Sequence, residues 1–548
     1  MNLLEDFWLP FRTRTNEIRY LSPLHVQDVD LVDLALPRAD FQGAGWQFLI
    51  GLLQTFFPPE DLEEWQERWE KPPDVQELSR FFTLGRDAFN LLGQRPLFMQ
   101  DFDHLDEARS SSVSSLLIEA PGGNTLRLNT DHFIKRGQVE VVCPSCAAMA
   151  LYTMQINAPS GGKGYRVGLR GGGPLTTLVL PQDPQASLWQ KLWLNVLDRS
   201  NWTYDRPALN SSVVFPWMGP TRVSEKPGTK TFPEDVHPLH IFWAMPRRFR
   251  LEAKDSPCKC DICGHTSSRS IRQIRTKNYG YNYEGPWRHP LTPYRRNPKQ
   301  PDQPPISIKG QQGGIGYQHW EALALGNEEK HGNMPALVVL DFANKAKALR
   351  DFGPTARQAL LWAFGYDMEN MKARGWYSTQ MPLLAIPAEW RDLMLDWVTQ
   401  MTDAARSAAW NVRNKIKHAW FTRPDDLKEK EYKAKAHFIE LRFWERTEAD
   451  FYDCLFQLYH SLEQNQDDLF PAEIARRWYF NVRDAALGIF DELALSGEAE
   501  SLDMKRVTTA RNQLLGWLVR DKHMARFRRL AQIDVPEKTE ATSFSATA

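Results

Sequence analysis

The spacing of apolar residues changes once along this chain. Beyond the stretch MPLLAIP, four successive runs repeat their apolar positions every three, four or seven residues. The first carries Leu393, Trp397, Met401, Ala404 and Ala408. The second carries Phe438, Leu441, Trp444, Phe451, Leu455, Leu458 and Leu462. The third carries Ile474, Trp478, Val482, Ala485, Ile489 and Leu493, and the fourth Met504, Val507, Leu514 and Leu518. Each set falls on one face of a helix and reads as core. Pro424-Asp425-Asp426, residues 464–468 and Ser496-Gly497 separate the runs. Short connections join antiparallel neighbours, so the pattern predicts a four-helix bundle over 387–535. The closing stretch, 536–548, reads as a disordered tail.

Upstream, to about residue 378, the pattern is mixed. VEVVC and LTTLVL read as strands bounded by Gly and Pro, and GWQFLIGLLQTFF reads as a buried helix. Long loops rich in Gly and Pro interrupt them, and loops of that size are usually functional or disordered. The expected class is α+β: a mixed domain over 1–378, a linker over 379–386, then the bundle. A length of 548 residues is too great for one core, which agrees with several domains.

Composition adds little until it is localised. The net charge is −1, but the stretch 265–300 carries Arg269, Arg272, Arg275, Lys277, Arg288, Arg295, Arg296 and Lys299 against the single acid Glu284. Such a patch suits a polyanion partner. The start, MNLLEDFWLP, has Glu5 and Asp6 and no basic segment before an apolar run, so it does not read as a secretory signal. No run of apolar residues is long enough to span a membrane. With six cysteines, the expected setting is a reducing cytoplasm.

Four of those cysteines form two Cys-x-x-Cys pairs, Cys143/Cys146 and Cys260/Cys263. Two such knuckles supply a tetrahedral thiolate set suited to Zn(II). A closed set has no position for water, so the expected role is structural. Cys258 or His265 could replace one ligand, and Cys454 reads as a core residue.

The stretch APSGGKGYRVGLRGGGP contains Gly162-Lys163, the pair that ends a phosphate-binding loop. The comparison fails at both ends, because Asn157 stands where the first glycine belongs and Gly164 where the hydroxyl belongs. The dinucleotide fingerprint fails at Val167. What remains is a small-residue backbone punctuated by Lys163, Arg166 and Arg170. It reads either as a loop that enters a narrow groove or as a glycine turn with solvated cations. No metalloprotease, serine-hydrolase or deaminase motif is present. His132, in NTDHF, keeps a zinc-containing nuclease or hydrolase as the enzymatic alternative, and a generic zinc-stabilised RNA-binding scaffold is a third class.

Several stretches together resemble one family. NLLEDFWLP (Leu3, Leu4, Asp6, Trp8, Pro10), LPRAD, PLFMQ, CPSCAAMALYTMQINAPSGGKGYRVGLRGGGPLTTLV, CKCDICG and GPWRHP occur in the order seen in CasA, the large subunit of the type I-E CRISPR surveillance complex Cascade. The resemblance implies a DNA-binding, non-enzymatic subunit of an RNA-guided antiviral complex. Its expected partners are CRISPR RNA, other Cascade subunits, duplex target DNA with a short adjacent motif (the PAM), and a helicase-nuclease. It implies PAM reading from the minor groove by Ser160, Gly161, Gly162, Lys163 and Gly164, with Lys277, or its neighbour Asn278, on a hairpin. Lys163 stands where the family pattern has glycine. Glu369, Asn370 and Met371 would wedge the strands apart to begin R-loop formation. Phe133, Ile134 and Lys135 would dock on the complex, and Arg520, Lys522, Arg526, Arg528 and Arg529 would hold the displaced strand.

Overall fold

The computed structural model describes residues 1–121, 127–128, 137–352, 358–369, 372–464, 469–496 and 503–533. The chain divides into two compact units, one of Met1–Ile315 with Ala322–Ala385, the other of Gly316–Glu321 with Ile386–Ala548.

The first unit is built around the helix Ala39–Phe56, which is buried on every face. That explains why GWQFLIGLLQTFF shows no polar stripe: no side of the helix meets water. Phe48 sits at its centre and meets Trp8, Phe98, Tyr152 and Trp243 edge-on. Small antiparallel sheets surround it. One pairs Arg109–Ser112 and Arg248–Lys254 with the central strand Ser270–Lys277. Another orders Lys372–Leu383, Ala359–Glu369 and Thr176–Pro181, so the LTTLVL strand is present.

Two expectations change here. VEVVC does not form a strand; only Val142 makes a bridge, to Ile271. Pro144 fills the first turn of the helix Pro144–Asn157, and the chain therefore turns helical directly after Cys143. Residues 379–383, expected as linker, complete the strand Lys372–Leu383, with Met381 opposite Leu361 and both buried.

In the second unit the long helices Ala388–Trp420, Glu429–Glu463, Ala472–Ala494 and Met504–Arg520 pack on one another. Trp478 Nε1 donates to the Met401 carbonyl at 3.1 Å, and Trp420 Nε1 donates to Leu493 O at 3.1 Å. The fourth apolar run lies within Met504–Arg520, but the cations from Lys522 to Arg529, expected on the same helix, sit on a separate one. Asp521 ends the first and caps the second, Lys522–Leu530, by accepting from His523 N and Met524 N. On the second helix the buried seam runs through Tyr432, Ala436, Ile439 and Phe443, and Phe438 is 41% exposed. Thr447 interrupts that seam in the sequence. Its hydroxyl is hydrogen-bonded to Tyr317 Oη at 2.7 Å, so a polar residue belongs to the core. Tyr317 stacks on Phe451 with ring centroids 4.4 Å apart.

His240, in the first unit, carries a pH prediction. His240 Nδ1 faces the Val213 carbonyl and donates to it at 3.2 Å, so Nε2 of the neutral ring accepts from Tyr283 Oη at 2.9 Å, and that hydroxyl in turn accepts from Met245 N. Burial pulls the His240 pKa down from 6.5 to about 4. The unfolded chain therefore binds more protons between those values. Stability is complete above about 6.5 and is lost as pH falls through the window, by up to about 3 kcal/mol. In denaturant titrations over this range, His240→Gln should reduce the proton uptake on unfolding by about one. An unaltered pH dependence would contradict a neutral buried His240.

Candidate metal centre and nucleic-acid interface

The two cysteine pairs meet. Cys143 caps the helix Pro144–Asn157, its Sγ accepting from Cys146 N at 3.4 Å, which puts both sulfurs at the helix start. The second pair lies between the short strands Cys258–Lys259 and Thr266–Ser267. Its turn closes through Gly264 N to Cys260 O and Cys260 N to His265 O, both 2.9 Å, with Gly264 at φ +75°. The Val142–Ile271 bridge joins the pairs, and Asp261 Oδ2 accepts from Glu140 N and Val141 N at 2.8 Å each.

The four Sγ atoms lie within 4.8 Å of one another, and Cys143, Cys146 and Cys260 are buried. Cys258 and His265 are outside the set. Cys258 Sγ faces Arg269 O at 3.5 Å, and the His265 ring meets Tyr20. Hydrogen bonds from the other sulfurs push the Cys146 thiol far above its ordinary range, whereas bonds from Cys143 and Cys146 hold Cys260 far below. Four sulfurs this close cannot all ionise unless a cation joins them. The donor set therefore fits a thiolate-bound metal ion with no open position.

The glycine loop leaves the far end of the same helix. Ser160, Gly162 and Lys163 are exposed. The loop docks on the corner that follows strand Ser270–Lys277: Asn278 Nδ2 donates to Lys163 O at 2.7 Å, and Tyr279 N donates to Gly164 O at 2.8 Å. Gly164 has φ +78°, and a Cβ there would stand 2.8 Å from the Tyr279 ring and 2.9 Å from Asn278 Cβ. Lys277 is exposed at the strand end, while the Asn278 amide is committed to the loop.

Of the three cations in the glycine stretch, only Lys163 is exposed. Arg166 donates to Ser224 Oγ and Ser224 O at 2.7 and 2.6 Å. Arg170 is buried, donating to Thr176, Thr292 and Gln47. The expectation of solvated or groove-facing cations is thus corrected for both, because spacing cannot reveal which way a side chain points.

Glu369 is the last residue of its strand. It pairs with Lys372 across the hairpin and accepts from Arg374 Nη1 at 2.7 Å. One residue earlier, Met368 packs where a Cβ on Gly173 would stand, which joins this hairpin to the glycine stretch. Asn370, Met371, Phe133, Ile134, Lys135 and His132 lie outside the described residues. Among the helical cations, Arg528 is 5% exposed, so it is not a free phosphate contact. Lys522, Arg526, Arg529 and Arg520 are exposed, with Arg520 Nε donating to Gly516 O. Sequence reasoning missed Tyr279, Tyr165 and Arg247, because aromatic and basic residues carry no spacing signature in loops.

The fold is similar to Thermus thermophilus CasA (Cse1), with TM-score 0.67 and 16% identity over 94% of this chain and 99% of that one. It is also similar to Thermobifida fusca Cse1, with TM-score 0.66 and 16% identity over 97% and 98% of the two chains. A chain of a CRISPR RNA-guided surveillance complex matches with TM-score 0.62 and 15% identity over 94% and 99%. The family model of CRISPR-associated protein Cse1 matches residues 2–489, and the chain belongs to that family. No helix among the described residues is long and apolar enough to cross a membrane.

Proposed function

We propose that this protein inspects duplex DNA as a subunit of an RNA-guided surveillance complex. In this reading it works with CRISPR RNA and the other Cascade subunits. The glycine loop and Lys277 contact a PAM in the minor groove, where the pattern of base edges is degenerate and several sequences are tolerated. Lys163 adds a phosphate contact. Asn278 holds the loop in place and leaves the reading to Lys277. The hairpin tip that begins at Glu369 opens the strands by unstacking, a cost offset by guide pairing. Arg520, Lys522, Arg526 and Arg529 track the displaced strand, and a separate helicase-nuclease degrades it. The metal is Zn(II), and the helices of the second unit form the bundle that carries these cations.

One observation carries this reading. Asn278 and Tyr279 bond to Lys163 and Gly164 across more than a hundred residues of sequence, so two exposed lysines, Lys163 and Lys277, flank one rigid glycine edge. A rigid edge of small residues between two cations suits a narrow, anionic groove. The test is competition binding to the assembled complex with duplexes that differ only in the PAM. Affinity should differ by about tenfold or more between PAM and non-PAM duplexes. Equal affinity for all would refute PAM reading.

A further inference from the structure

Arg247 is a buried cation with no counter-ion among the described residues. It is 6% exposed, and its Nη2 donates to the Pro159 carbonyl. Its Nε and Nη1 are buried without an acceptor among the described residues. The backbone is clamped: Arg247 N donates to Gln155 Oε1 at 3.0 Å, and Gln155 Nε2 donates to Arg247 O at 2.9 Å. The guanidinium is therefore fixed directly behind the glycine loop.

Tyr165 covers it. The ring centroid lies 4.7 Å from the guanidinium carbon, and Tyr165 itself is 41% exposed. Gly161 makes this arrangement possible, since a Cβ there would stand 2.6 Å from Tyr165 Cβ and 3.6 Å from Arg247 Nη1. An aromatic face offsets little of the cost of taking a guanidinium out of water. Burial lowers its pKa only to about 10, so it stays charged near neutral pH. Gly161 lies beside it, and the amides of Gly161, Gly162 and Lys163 donate to nothing among the described residues. Free loop amides plus a guanidinium fork form a donor set matched to a phosphate.

We propose that Arg247 is a phosphate ligand held in reserve behind the glycine loop. It engages a nucleic-acid backbone phosphate when the Tyr165 ring moves off its face. This rests on reading the loop as a duplex contact.

The test measures duplex affinity across salt concentrations for the full-length chain and for Arg247→Met, Arg247→Lys, Tyr165→Leu and Lys163→Ala, with melting temperatures recorded. Each phosphate contact adds about one to the slope of log affinity against log salt. Arg247→Met should lose about one from that slope and weaken binding by roughly tenfold at low salt, and Arg247→Lys should keep the slope. Affinity lost at unchanged slope would assign Arg247 a purely structural role and overturn the proposal. If Arg247→Met does not fold, Tyr165→Leu decides, because it uncovers the guanidinium without removing it. Its slope should equal the wild type and its affinity should not fall; a smaller slope overturns the proposal. If Lys163→Ala lowers the slope and Arg247→Met does not, this inference fails and the duplex reading stands. If neither lowers it, both fail. Inorganic phosphate at matched ionic strength should leave the melting temperature unchanged. A rise seen in the wild type and absent from Arg247→Met would assign the site to free phosphate and overturn the nucleic-acid assignment.

Discussion

Cys260→Ser should abolish metal binding at the four-cysteine site and destabilise the first unit. The four sulfurs come from segments as much as 120 positions apart, joined by the Val142–Ile271 bridge, by Asp261 N donating to Val141 O and by the Asp261 carboxylate. Without the ion, buried thiols must share protons among themselves, and the second pair has only a two-stranded hairpin of two-residue strands to hold it. Structural zinc contributes on the order of 10 kcal/mol in small domains, where it is most of the folding energy. In this larger unit part of that is supplied by the aromatic core. The expected loss is several kcal/mol, a fall in melting temperature on the order of 10 °C. Elemental analysis should find one zinc per chain in the wild type and none in the variant. Cys258→Ser and His265→Ala should keep it, since neither residue joins the set. A metal-free protein that melts like the wild type would remove the structural role.

Gly164→Ala should abolish most duplex binding while sparing the fold. At φ +78° any side chain is strained, and the new Cβ would press on Tyr279 and Asn278 within 3 Å. Tyr279 is already at φ +66° and its amide is bound to Gly164 O, so it cannot retreat without breaking that bond. The loop must lift off the corner, and Lys163 and Lys277 then lose their fixed spacing. Strain of this kind costs on the order of 1–3 kcal/mol. Because the loop is exposed, the variant relieves the strain by undocking, which appears as lost binding at nearly constant melting temperature. Duplex affinity should fall by about tenfold or more, a loss of about 1.4 kcal/mol or more. Gly162→Ala separates contact from strain: a Cβ there meets nothing within 4 Å of the protein, so any binding it loses reports the groove contact and not undocking. If Gly164→Ala binds like the wild type, the docked loop is not the contact surface.

The parts legible in the sequence were those with a local signature. Helical periodicity marked the long helices because a buried stripe repeats every turn; it left the true seam at Phe438, on the helix where Thr447 places a hydroxyl in the core, and at Met504, which is exposed. The cysteine knuckles were legible because two thiolates on one ion need that short spacing. Proline at the first helical turn was present in the sequence too, yet VEVVC still read as a strand, since a β-branched run shows the same pattern whether it pairs or merely packs. The opening motif, the knuckles and the glycine stretch, taken in order, were enough to indicate the family.

Four decisions belonged to the tertiary structure alone. Which sulfurs converge depended on the Val142–Ile271 bridge, which brings distant knuckles together and leaves Cys258 and His265 aside. Arg170 and Arg528 are buried, while Lys163 is exposed, because the direction of a side chain follows from what packs against its backbone. Strand Ser270–Lys277 ends so that the Asn278 amide bonds to the glycine loop while Lys277 is exposed. Arg247 came under the loop only because Gln155 clamps its backbone from a helix far away in sequence. Local chemistry is written in short spacings, but charge placement depends on long-range contacts, and those exist only once the chain has folded.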